Sequence, residues 1–176
     1  TRDTTADGIA DTVVARIIVP ARPSVEEMQA AVDIAARLGF ETMALTLPVI
    51  LRDDEISTPS DIALPILLGR DNAFVRKLTE RGEVNLQALA EGQGLIARVR
   101  SPLGGPDGLV VAGSGHEGTL AAAAVLAARL PRLWTMSGIT LAGIESQVLG
   151  YVRERGLPAA AAALESLVVD SDRRGI

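Results

Sequence analysis

The stretch GLVVAGSGHEGTLAAAAVLAARL, residues 108 to 130, decides the fold. Leu109 to Ala112 is a short apolar, β-branched run. Gly113-Ser114-Gly115-His116-Glu117-Gly118 then spells G-x-G-x-x-G, and an alanine-rich apolar segment follows at once. Strand, glycine turn, helix is the context in which these glycines have a mechanism. The first permits a tight turn, the second lets backbone approach a pyrophosphate, and the third lets helix and strand pack closely. Gly113, Gly115 and Gly118 are therefore the candidate cofactor-binding residues, for a nucleotide or dinucleotide at the N-terminus of the helix. The acidic ribose partner expected about twenty residues on has no counterpart, because that region reads Arg132-Leu133-Trp134-Thr135-Met136-Ser137-Gly138. A close strand-to-helix turn explains the same glycines without a ligand and is the preferred reading.

Upstream, Leu95 to Arg100 alternates, and a short Pro- and Gly-rich loop joins it to the Leu109 strand. A parallel crossover needs a dozen or more residues, so residues 95 to 112 read as one antiparallel hairpin. Nearer the N-terminus, Thr12 to Val19 is a strand closed by Pro20. Ser24 and Glu27 make a capping box for a helix running to Leu38 with its stop at Gly39, and Thr42 to Leu47 reads as a second strand. Residues 49 to 62 read as an acidic surface loop holding Asp53, Asp54 and Glu55. Ala63 to Leu68 is a buried strand, although Pro65 suits an edge or a bulge better than a central position. Gly69-Arg70-Asp71-Asn72 turns into a helix from Ala73 to Arg81, capped by Asp71 or Asn72. Val84 to Leu89 reads as a short helical piece, Arg132 to Met136 as a strand, Leu141 to Arg155 as a helix, Ala159 to Ala163 as a short helix and Leu164 to Val169 as a last strand. The expected architecture is a three-layer α/β domain over residues 13 to 170, with a mostly parallel sheet and one antiparallel hairpin. A leader, residues 1 to 12, precedes it and a charged tail, residues 171 to 176, follows.

Composition excludes several functions. The net charge of -5 offers no basic surface to neutralise phosphates, which argues against nucleic acid. Aromatics are 2% of the chain, so its core must be filled by Ala, Val, Leu and Ile, and it offers no stacking platform. With no cysteine there is no disulfide, thiolate metal site or thiol nucleophile. The longest apolar run, Thr119 to Leu130, is too short for a membrane span. The chain begins at Thr1 and reads as a piece of a longer protein, so its partners are other domains of that chain or of an assembly.

Candidate polar chemistry is sparse. In the leader, Asp3, Asp7 and Asp11 stand at loop positions 1, 5 and 9 with Gly8 at position 6, a spacing that brings oxygens together around a hard cation. These three are the candidate metal ligands, for calcium. Thr5 replaces the usual carboxylate or amide, and Val14 replaces the bidentate Glu of an EF-hand. His116 is the single histidine, and Ser114 lies outside a G-x-S-x-G context, so no hydrolytic triad is expected.

The order of elements from Leu64-Pro65-Ile66-Leu67-Leu68-Gly69 through Gly94-Leu95-Ile96 to Gly108-Leu109-Val110-Val111-Ala112-Gly113 and the Thr119 helix resembles the flavodoxin-like or Rossmann-like ancillary domains of extracytoplasmic polysaccharide machinery. Examples are the periplasmic cellulose synthase subunit and the α/β domains that precede barrels in secreted glycoside hydrolases. The resemblance covers roughly Ala63 to Leu130 and implies a noncatalytic domain that holds other modules in place outside the cytoplasm. The chain is thus expected to be an ancillary or assembly domain of a larger secreted, periplasmic or surface protein, with a nucleotide-binding enzyme domain as the alternative.

Overall fold

The computed structural model describes residues 14–40, 46–129, 141–156 and 166–170. The β-branched runs form strands β1 (Ala15–Val19), β2 (Ile50–Arg52), β3 (Leu64–Leu68), β4 (Gln93–Val99), β5 (Gly108–Gly113) and β6 (Ser166–Asp170). The helical periods form α1 (Val25–Phe40), α2 (Ala73–Glu80), α3 (His116–Arg129) and α4 (Leu141–Glu154). The strands make one sheet in the order β2-β1-β3-β5-β4-β6. Strands β2, β1, β3 and β5 are mutually parallel, and β4 runs antiparallel to both β5 and β6. The mostly parallel three-layer α/β architecture and its hairpin therefore stand as the sequence implies. The hairpin begins two residues earlier, at Gln93, with Leu95 opposite Ala112.

Side-chain alternation along the strands separates two cores. One face collects Ala15, Ile17, Val19, Ile66, Leu68 and Val111 under α1 and α3, through Ala30, Ala31 and Ile34 of α1 and Ala122 and Ala123 of α3. The other collects Ile18, Leu67, Val110, Ala112, Leu95 and Ala97 with Val75 and Leu78 of α2. Both faces are covered, which is why the central strands read as continuous apolar runs.

Three expectations are corrected. The second strand is Ile50–Arg52, inside the segment read as a loop, and pairs with Ile17 to Val19 at the sheet edge. Thr46 and Leu47 are not strand, and residues 41–45 of the expected strand lie outside the described residues. Strand β3 is central despite Pro65. The β3–β5 ladder starts one residue later, at Ile66 opposite Leu109, so the missing N–H falls where no β5 partner waits. Gly108 fits beside this proline, since a Cβ there would lie 2.6 Å from the Pro65 carbonyl oxygen. Val84 to Leu89 is a run of turns rather than a helix, held by the Asn85 side chain accepting from the Gln87 and Ala88 amides. The expected elements at 132–136 and 159–163 lie outside the described residues.

The glycine turn of the opening stretch is a packing device. A Cβ on Gly118 would sit 2.1 Å from the Gln93 carbonyl oxygen, and one on Gly113 2.4 Å from the Thr119 nitrogen. On Gly94 a Cβ would meet the Gly118 carbonyl oxygen at 2.1 Å. The first turn of α3 thus lies against the backbones of β4 and β5 with no side chain between. Gly115, by contrast, has nothing within 4 Å of a Cβ.

Alanine in a helix normally stabilises relative to glycine by about 1 kcal/mol, but Gly118→Ala should destabilise by about 3 kcal/mol through overpacking against backbone. Gly115→Ala should stay within about 0.5 kcal/mol in urea unfolding. In the hairpin, Asp107 accepts from Arg98 at 2.8 Å and from the Ser101 amide at 3.4 Å. The Arg98 hydrogen bond holds the Asp107 carboxyl below the usual aspartate range. Its contribution is full above the unfolded value and is lost as pH falls through the depressed folded one. Asp107→Asn should accordingly flatten the acid side of the stability curve below about pH 4, and added salt should shrink the difference because both groups are exposed.

Candidate functional site

In a parallel sheet the loops after the strands gather at one end, and ligands bind there. Here that end holds Pro20 to Ser24 after β1, the 3₁₀ turn Asp53–Glu55 after β2, Gly69 to Asn72 after β3, and Ser114 and Gly115 after β5. The N-termini of α1, α2 and α3 converge on it.

Most polar groups at this end bond to one another. The predicted capping box forms, with the Glu27 amide donating to Ser24 Oγ at 3.1 Å and the Ser24 amide donating to Glu27 Oε2 at 2.8 Å. Of the two cap candidates for α2, Asn72 is the one used. Its Oδ1 accepts from the Phe74 amide at 2.9 Å and the Val75 amide at 3.4 Å, and its Nδ2 donates to the Ile18 carbonyl at 2.8 Å. This fully buried amide therefore fastens α2 to β1. Asp53 adds a second link, accepting from the Ala73 amide at 2.7 Å across twenty residues of sequence. Asp54 and Glu55 pair with Arg52 at 3.1 and 3.2 Å. Arg70 donates to the Ser114 carbonyl, joining the β3 loop to the glycine turn.

Among the described residues at this end, one buried carboxylate oxygen makes no hydrogen bond. Glu27 is 1% exposed, and its Oε1 makes no hydrogen bond. That oxygen faces Gly69, where a Cβ would come within 2.3 Å of it, and stands 3.9 Å from His116 Nδ1. The left-handed φ of +87° at Gly69 favours glycine there. Neighbouring Glu26 is partly exposed. Its own backbone amide, then the Ser24 hydroxyl, hold its carboxyl below the usual glutamate range against a small desolvation effect, and His116 adds a minor attraction.

The sequence-predicted residues separate accordingly. Gly113 and Gly118 are consumed by the contact of α3 with the sheet, and Gly115 alone of the three borders open space. Acidic Glu26 and Glu27 lie beside the turn where a pyrophosphate requires donors. His116, the single histidine, is half-exposed and stands near Glu27. The candidate calcium ligands Asp3, Asp7 and Asp11 lie outside the described residues. Among the described residues, no group of three or more acidic or histidine side chains converges on a metal position, and no helix is long and apolar enough to cross a membrane. An open hollow beside β1 and β2 is bordered by Arg16, Glu55, Ser57, Thr58, Asp61 and Ile62.

The sequence signals missed here are long-range. Nothing local marks Asp53 as the partner of Ala73, and the capping box predicts the bonds of Glu27 without its burial. Asn72→Ala should cost about 2 to 3 kcal/mol, as a cap and a buried hydrogen bond are lost together. Asp53→Ala should cost about 1 kcal/mol for the more exposed link. Urea midpoints of the two variants check the order.

Residues 40–130 match the model of the S-layer like family, outer domain. No curated protein matches the chain. The match agrees with the extracytoplasmic side of the resemblance drawn from the sequence and gives no support to cellulose synthase subunits or glycoside hydrolases in particular.

Proposed function

The chain belongs to the S-layer like family as an outer domain, and from this premise we propose that it is a noncatalytic assembly domain of a larger cell-surface protein. The observation that carries this reading is the state of the carboxyl end of the sheet. Its loops are tied to neighbouring elements through Asn72, Asp53 and Arg70, and Ser24 is engaged in capping α1, rather than left open around a ligand. A binding site needs groups whose partners are still to come, whereas these are already engaged. Partners are then other domains of the same protein or other subunits of a surface layer.

Antibody against the chain should label intact cells that make it, and the protein should sediment with their envelope as a detergent-resistant layer. Labelling that requires permeabilised cells, with the protein in the soluble fraction, sinks the reading.

One observation favours the nucleotide alternative, the open space at Gly115 at the end of β5. Titration of NAD, NADP, FAD and FMN tests it, with Gly115→Val as control. Binding below about 1 mM that the control abolishes, an affinity near 4 kcal/mol, replaces the assembly reading with the enzymatic one.

The leader is proposed as a calcium loop through Asp3, Asp7 and Asp11. A native-state ligand at 100 times its Kd stabilises by about 2.7 kcal/mol, so excess calcium should raise the melting temperature and chelator should lower it. Replacing the three aspartates by asparagine should abolish that difference. Identical melting curves with calcium and with chelator rule the loop out.

A further inference from the structure

Helix α1 buries one side and presents an apolar stripe on the other. Its core side is Glu27, Ala30, Ala31, Ile34 and Leu38. The opposite side carries Val25 at 80% exposure, Met28 at 37%, Val32 at 52% and Phe40 at 66%, with exposed Ala36 between the last two. Steps of three and four residues place all five along one line. The line runs the length of the helix, about 22 Å at 1.5 Å per residue. A solvent-facing helix side normally carries charged and polar residues. Here the charges are displaced to one flank, where helical spacing aligns Glu26, Asp33 and Arg37, acidic toward the N-terminus and basic in the last turn.

We propose that this stripe is a contact between two copies of the chain, packed with their α1 helices antiparallel about a twofold axis near Val32. The proposal rests on the assembly reading and names the surface. The choice of a second copy comes from the charge pattern. A twofold between antiparallel helices brings the same flank of each together, so Glu26 of one copy faces the second copy's Arg37 at both ends of the stripe. A parallel twofold pair would instead set the two charged flanks on opposite edges of the contact, so that Glu26 and Arg37 would not meet. The antiparallel pair also opposes the two helix dipoles. In the apolar line, Val25 meets the second copy's Phe40, Met28 meets Ala36, and Val32 meets itself at the axis. The sizes are complementary, with the large Phe40 end set against the small Val25 end and a methionine against an alanine. Asp33 stands four residues before Arg37 on its own helix, the spacing at which opposite charges attract.

The test uses the 176-residue chain in sedimentation velocity over a range of concentrations up to about 1 mM, which detects contacts as weak as about 4 kcal/mol. A monomer–dimer equilibrium is expected. Val32→Arg, which sets two arginines against each other at the axis, should weaken it by about a hundredfold. Glu26→Arg should weaken it by about tenfold, and Glu26→Arg combined with Arg37→Glu should restore it to within about threefold. Thermal melting confirms that each variant is folded. Since the chain has no cysteine, Val32→Cys adds a single thiol that a short bismaleimide should link into a covalent dimer, whereas Arg76→Cys on the exposed side of α2 should remain unlinked. A monomer at every concentration, a dimer indifferent to Val32→Arg, or failure of the double charge exchange to restore association overturns the proposal. If the chain is nevertheless found in the envelope layer, only the α1 contact fails and the assembly reading stands.

Discussion

The structure depends on a backbone-to-backbone contact. Gly94 on β4, Gly113 at the end of β5 and Gly118 in the first turn of α3 leave no room for a Cβ at any of the three positions. Because α3 starts this low on the sheet, the residues that follow it must be small, and Ala121, Ala122 and Ala123 are buried there. Helix α1 sits on the same face and meets that layer with Ala30 and Ala31. A low helix layer filled by methyl groups leaves no volume for rings. The 2% aromatic content is thus a consequence of how closely the helices approach the sheet.

The same closeness shapes the loop end. With α1 and α3 pressed onto the strands, their N-termini bring Glu27 and His116 within 3.9 Å of each other, and the loops between are short enough to bond directly. Asn72 illustrates the outcome. One side chain caps α2 and at the same time holds the carbonyl of a neighbouring strand, so the loop after β3 has no freedom to open without uncapping a helix. In an enzyme of this architecture the corresponding loops accommodate a ligand. In this member of the S-layer like family they are bonded to neighbouring elements of the fold.

Much of this fold is legible in the sequence, and the limits have physical causes. Strands β1, β3, β4 and β5 and helices α1, α2 and α3 announce themselves because each is a single run with one period, bounded by a proline, glycine or cap. The cap of α1 is spelled out locally by Ser24 and Glu27. Strand β2 is hidden, since three residues of edge strand beside Pro48 and an acidic turn carry too short a pattern to register. Central Pro65 misleads because its tolerance depends on where the β5 ladder begins, which is a property of register and not of residue type. The glycine turn shows both sides. Its form matches a phosphate-binding loop, and only the position of Gln93, more than twenty residues upstream, shows that Gly118 is occupied by strand backbone. The link from Asp53 to α2 is invisible for the same reason.

Strand direction has a further consequence. Since β4 opposes both β5 and β6, strand β6 runs the same way as β1. A tension entering at the start of β1 and leaving at the end of β6 is therefore directed along the strands. It pulls β1 past its two neighbours and β6 past β4, loading whole rows of ladder hydrogen bonds in shear instead of opening them one at a time. Forced unfolding is governed by the rate of escape over a barrier, and a geometry that shares load across many bonds raises that barrier. The sheet thus resists tension directed along its strands.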